Sequence, residues 1–423
     1  MKKLLKMSFL MIAVVAILAG LTACNSSSDQ DTSGSGGKKT EITYGIWDPV
    51  QKPGMEKVAE EFMNENSDII VKVQVIPWDQ YWTKLEASAN GETLPDVFWM
   101  HGSEAVRYME AGALLDITDS YKKVEGNFPE DLVELYSYDG KNFGIPKDVS
   151  TIGLWYNKKI FDEKGVAYPD DSWDWDKFKE AAKQLTDSDQ GIYGFAAPND
   201  TEVGYYNAIF QNEGAVISDD KTKSMLNTPA TQEALQWWVD FSLEDKTSPT
   251  VAKIAENNVR SLFSSGKVAM IFDGSWMYGE YSSNEELKEH VDVAVLPKGK
   301  TRATVYNGLA NSVSAYTENE EAAVKFVDFL SSQKGMEIQG GSAAAIPAYK
   351  GTEAKFIEST EDTFNTKVFS EMLDYGVLRP NGPNFNKAET IATEGLAKMF
   401  SGTETVEEAT NNVASEVDEI LNQ

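Results

Sequence analysis

The chain carries 10 Trp, 17 Tyr and 19 Phe, and several of the tryptophans stand where no core periodicity asks for them. Trp47-Asp48, Trp78 and Trp99–His101 fall at the ends of stretches that read as strands or open a helix. Asp273-Gly274-Ser275-Trp276 makes a glycine-containing turn directly after another apolar run. Flat rings beside Asp, Asn or Arg suit a ligand with hydroxyl groups and apolar C–H faces, which is the chemistry of a sugar. Trp276 has no periodic core role and is the strongest candidate platform. Trp99 lies inside an apolar strand, where core packing competes with contact. Nucleophilic and metal chemistry find little support. His101 and His290 are the only histidines and Cys24 the only cysteine, so neither a Cys/His metal cluster nor a Cys/His nucleophile pair can be assembled. His101, lacking a nucleophile or acid beside it, reads as a hydrogen-bonding contact. No calcium-loop pattern occurs, and no cofactor is expected. A formal charge of −29 repels phosphate backbones, which argues against a nucleic-acid partner.

Elements must position these residues, and the chain opens with a segment that serves another purpose. Lys2, Lys3 and Lys6 precede an apolar run, Phe9–Leu18, that is too short to span a bilayer as a stable helix. Leu21-Thr22-Ala23-Cys24 follows and resembles the lipobox of bacterial lipoproteins. That resemblance implies a signal peptide over 1–23 and a lipid on Cys24, the new N-terminus. Residues 24–39 then form the anchor and a Ser/Gly/Asp-rich linker. Its fifteen-residue tether has a reach of roughly 20 Å. The expected location is the outer face of the cell membrane in the Gram-positive manner.

From Glu41 onward strand and helix patterns alternate. Ile42, Tyr44 and Ile46 alternate as a strand, and Met55, Val58, Ala59 and Phe62 recur at helical spacing. Ile69–Val75 alternates again, Asp79–Asn90 reads as a helix, and Asp96–Met100 as a third strand. This order predicts an α/β lobe with a largely parallel sheet and a site beyond the carboxyl ends of its strands. The stretch Lys141–Phe161 then brings a turn, Pro146 and an apolar run, Ile152–Tyr156, with Asp148 and Ser150 between them. It reads either as an ordinary loop-to-strand junction or as the place where one lobe passes into a second, since 423 residues exceed one core. The same alternation resumes beyond it, and Thr405–Leu421 closes the chain with a clean apolar stripe.

Five motifs occur in one order: LPDVFWMHG (Leu94–Gly102), FGIPKDVSTIGLWYNKKIF (Phe143–Phe161), LFSSGKVAMIFDGSWM (Leu262–Met277), VAVLPKG (Val293–Gly299) and the run from Gly308 to Lys350. Together they resemble the solute-binding proteins of ABC sugar transporters, over nearly everything from Lys39 to Gln423. The resemblance implies a periplasmic-binding-protein type II fold, two α/β lobes around a hinge and a central cleft. It places the first lobe at 40–146 plus 308–346 and the second at 147–307 plus 347–423. The chain would cross near Ile145–Ser150, Asn307–Ala310 and Ala345–Pro347. Further contact positions then join Trp47, Asp48, Trp78, Trp99, His101 and Trp276, namely Asp148, Asn199, Tyr205, Tyr206, Asp273, Asn307 and Arg379. Core packing competes for one of the two tyrosines, and solvation for Arg379. Gly102 and Ser103 stand where the maltose-binding member has a charged pair, which disfavours maltose itself.

The function that the resemblance implies is capture of a sugar, with an oligosaccharide favoured, and its delivery to an ABC permease by a monomeric, non-enzymatic protein. A lipid-anchored glycoside hydrolase is the rival of another class, because 67 acidic residues could supply two catalytic carboxylates. No such pair stands out. A polyamine or other non-sugar solute on the same fold is the third reading, which the strand-end tryptophans disfavour.

Overall fold

The structure is a computed structural model that describes residues 39–423. The segment expected to be a signal peptide, Cys24 and most of the expected linker therefore lie outside the described residues. Two sheets organise the rest. The strands in chain order are β1 Thr40–Ile46, β2 Ile69–Val75, β3 Val97–His101, β4 Ser137–Tyr138, β5 Lys141–Asn142, β6 Ile145–Pro146, β7 Ser150–Asn157, β8 Met270–Gly274, β9 Val291–Ala294, β10 Thr304–Asn307, β11 Leu309–Val313 and β12 Gly376–Leu378.

The first sheet has the order β2-β1-β3-β11-β6. β1 pairs in parallel with both β2 and β3, as the strand–helix–strand pattern requires, and β11 then closes antiparallel on β3. Ile42, Tyr44 and Ile46 are fully enclosed, and the helix Lys52–Glu65 buries Met55, Val58, Ala59 and Phe62 against this sheet. The alternation and the helical stripe thus mark the faces that meet.

The second sheet is arranged differently from the first. β7 runs antiparallel to β8, β9 and β10, and only β10 with β12 is parallel. The reason is the connection between β7 and β8. It is a long excursion through several helices, and a connection of that length can return a strand in either direction. β7 itself is enclosed from Thr151 to Asn157, which explains its unbroken apolar run.

The three segments between the sheets lie against one another. Lys147 N donates to Leu309 O at 2.7 Å, Val149 N to Ile346 O at 3.0 Å, and Asp148 bridges to Pro347. Gly308 allows the closest approach, since a Cβ there would fall 2.3 Å from the Asp148 carbonyl oxygen. The strand ends carrying Trp47, His101 and Asn307 consequently gather at the seam between the two lobes.

Candidate functional site at the seam between lobes

The first lobe offers an indole cluster. Trp47 follows the last residue of β1, and its ring stands edge-on to Trp78 at 5.2 Å, Tyr81 at 5.0 Å and Trp99 at 5.0 Å, with Trp82 tilted at 6.0 Å. Trp78 begins the helix Trp78–Asn90 and remains 48% exposed, so its ring projects from this cluster rather than into the core. Trp82 was not anticipated. It sits one turn beyond Trp78 on the same helix, and an i, i+4 spacing from a known aromatic was the available signal. Asp48 is held by its own turn, accepting from Val50 N at 2.8 Å and from Gln51 Nε2 at 2.8 Å.

Trp99 needs a correction. Its ring is fully enclosed, its Nε1 donates to Tyr44 Oη at 2.7 Å, and it lies beneath Trp47. Lying within β3, it supports the cluster from below and presents no face to a solute. Asp148 and Asp273 are corrected in the same way. Asp148 pairs with Lys147 at 2.5 Å and accepts from Leu309 N at 2.7 Å, while Asp273 is gripped by Arg260 at 2.7 and 2.9 Å. Buried carboxylates so engaged hold segments in place. Tyr205 and Tyr206 are both 1% exposed. They pack on each other at 5.3 Å, and in this arrangement of the lobes neither offers a free face.

A polar cluster joins the lobes beside the indoles. His101, at the end of β3, and Asn307, at the end of β10, meet with Nε2 and Nδ2 2.8 Å apart. Asn307 Nδ2 also donates to Glu202 Oε1 at 3.2 Å, and Glu202 lies 3.8 Å from both His101 Nε2 and Arg379 Nε. Arg379 donates to Glu389 at 2.5 Å, and its buried Nε has no hydrogen-bond partner among the described residues. Burial, reinforced by the Arg379 charge, holds the His101 imidazole down at about 3, so it stands neutral beside Asn307. Asp200, which caps the turn Thr201–Tyr205, has its carboxyl pushed up to about 6, chiefly by burial and further by Glu202 and Asp273.

Asn199 precedes this turn, donates to Thr393 O at 3.1 Å, and keeps a buried Oδ1 without a partner among the described residues. Trp276 leaves β8 through a short 3-10 turn, Ser275–Met277, and is half-buried. Nearby the lobes touch directly: a Cβ on Gly279 would fall 2.5 Å from Val50 Cγ1. Glu202, Glu389 and Asp200 escaped sequence reading because single acidic residues in helical or turn segments carry no periodic signal. Among the described residues there is no group of three or more His, Cys, Asp or Glu that could hold a metal.

The comparisons with known proteins agree with this architecture. A galactooligosaccharide-binding protein of Bacillus subtilis is 24% identical over 413 residues, covering 95% of this chain and 94% of that protein. A maltodextrin-binding protein of the same organism is 23% identical over 437 residues, covering 99% of each. Among solved structures, an ABC substrate-binding protein of Listeria monocytogenes in complex with cycloalternan superposes with a TM-score of 0.82 at 28% identity, over 91% of this chain and 99% of that one. A Thermotoga lettingae solute-binding protein bound with α-D-tagatose shares the fold at a TM-score of 0.81 and 23% identity, over 90% and 100%. The profile of the bacterial extracellular solute-binding proteins matches residues 48–337, and the chain belongs to that family.

Proposed function

We propose that this protein captures a carbohydrate, an oligosaccharide by preference, outside the cell and delivers it to the permease of an ABC importer. The observation that carries the reading is the pairing of an indole cluster, Trp47 and Trp78, with a hydrogen-bonding cluster, His101, Asn307 and Arg379, at one seam. Rings supply stacking surface for C–H faces, and the polar groups supply partners for hydroxyls. Trp276, on the short turn after β8, would add a platform from the second lobe, with Asp48 and Asn199 as further polar contacts. The relatives named for galactooligosaccharide and maltodextrin binding support a saccharide ligand.

Carbohydrate would be held without being cleaved, since Asp148, Asp273 and Glu389 are tied to Lys147, Arg260 and Arg379 rather than set free as an acid and a base. The lobes, read as 40–146 plus 308–346 and 147–307 plus 347–423, would part to admit the sugar. The protein would work as a monomer tethered through Cys24. Thermal-shift screening against mono- and oligosaccharides tests the reading, because a ligand bound only by the folded state raises Tm by mass action. A saccharide that raises Tm supports it. A shift with polyamines alone would reassign the ligand, and new sugar products on chromatography after long incubation would restore a hydrolase.

A further inference from the structure

Among the described residues, Lys147 is the one at the seam of the lobes whose charge is enclosed completely: its side chain has 0% exposure. An ammonium taken from water is costly unless it is well partnered. Here it has two partners. Nζ lies 2.5 Å from Asp148 Oδ2 and 4.1 Å from the centroid of the Trp99 ring. Both contacts lead outward. Asp148 Oδ1 accepts from Leu309 N, in the second crossing segment, and the Lys147 carbonyl accepts from Ala348 N at 3.3 Å, in the third. Gln339 Nε2 donates to the same carbonyl at 2.7 Å. One ion pair and its two peptide units therefore touch all three segments that join the sheets.

The other route runs through rings. Trp99 is pinned on its far side by the bond from Nε1 to Tyr44 Oη, which in turn donates to Asn311 Oδ1 at 2.7 Å. Its ring also meets that of Trp47, edge-on at 85°, and Trp47 meets the exposed Trp78. A methionine or leucine could fill the volume occupied by Lys147, but only a cation engages a carboxylate and a ring face together.

We propose that Lys147 is a positioning residue for solute capture: its ammonium links the three crossings to the indole series Trp99–Trp47–Trp78, so that the outer rings take their place from the pivot between the lobes. The inference rests on the reading of Trp47 and Trp78 as solute contacts, but its test needs no solute. The full chain is labelled with 15N-tryptophan, and the indole N–H resonances are assigned by single Trp→Phe replacements. Lys147→Met keeps the length and apolar stem of the side chain while removing the ammonium. It is expected to displace the resonances of Trp99, Trp47 and Trp78 and to leave those of Trp175, Trp237 and Trp238 in the second lobe where they were. Should the single variant fail to fold, Lys147→Met combined with Asp148→Asn removes both members of the pair, avoids a lone buried carboxylate, and is expected to show the same pattern. Unmoved Trp47 and Trp78 resonances overturn the proposal, as does an equal displacement of all ten tryptophans, which would mark a general loosening. A failure of every saccharide to bind would instead strike the functional reading and leave these spectra as they are.

Discussion

At the scale of single residues, Trp276 and His101 have different tasks. Trp276 turns out of β8 half-buried, with its indole beside Gly274 and no partner ring among the described residues, so its packing against the fold is limited. Trp276→Ala is expected to weaken saccharide binding by about tenfold or more while Tm changes little, as for an aromatic anchor in a binding site. Calorimetry of the variant beside the parent checks this, and an unchanged affinity would return Trp276 to the core. His101 is neutral in the polar cluster, held at about 3 in the folded protein against about 6.5 when unfolded. The unfolded state thus binds the extra proton first, and folding stability contributed by this group falls as pH drops from about 6.5 toward 3. Asp200 acts oppositely. Raised to about 6, it binds a proton in the folded state first, and its contribution falls as pH rises from about 4 to 6. His101→Gln keeps a neutral hydrogen-bonding group beside Asn307 and removes the first of these terms, so Tm of the variant should decline less than that of the parent between pH 6.5 and 4.5. Parallel melting curves across that range decide it.

Elements meet across the seam as well as residues. The helix Gly102–Glu110 of the first lobe faces the helix Phe385–Phe400 of the second through Asn386 Nδ2, which donates to Glu104 Oε1 at 2.8 Å. Glu104 is held at the same time by Arg107 at 2.7 Å. On the other flank Tyr306 Oη donates to Asp131 Oδ1 at 3.2 Å. A hydrogen bond to a charged group contributes on the order of 1.5–3 kcal/mol at most, and less where it is partly wet. That is enough to bias an equilibrium between touching and parted lobes without deciding the fold. Asn386→Ala should therefore raise the radius of gyration of the solute-free protein and leave its unfolding midpoint nearly unchanged. An unaltered scattering profile would show that this contact has no share in holding the lobes together.

For the whole molecule, the three crossings are thin, and the widest contact between the lobes is the seam itself. A sugar touching Trp47 and Trp78 on one side and Trp276 on the other completes its contacts only when the lobes approach, and that differential affinity shifts the equilibrium. Saturating saccharide should make the protein more compact in X-ray scattering than the same protein without it. A radius that stays the same with binding verified would remove the hinge motion while sparing the binding role. Cys24→Ser, by removing the acceptor for the lipid, should release the exported protein into the medium, and persistent labelling with a palmitate analogue would overturn the anchor.

Much of this was written locally in the chain. Alternation in β1 and β2, the apolar stripe of Lys52–Glu65 and the continuous run of β7 each follow from side-chain period and burial, which neighbouring residues determine between them. The strand-end position of Trp47 and the turn at Trp276 were legible for the same reason, and the order of the motifs led to the family. The tertiary structure alone decided which rings are covered. Trp99 and Trp47 differ in exposure because Trp99 lies within β3, with β11 paired beside it and Lys147 over its ring, whereas Trp47 follows the last residue of β1. It also decided that the second sheet is mainly antiparallel, because a long helical excursion leaves strand direction unconstrained by local pattern. Glu202, Asn307 and His101 share hydrogen bonds across 105 and 206 positions of sequence. No periodicity reaches that far, so a polar group's partner at such a distance is set by the packing of two lobes and not by its neighbours in the chain.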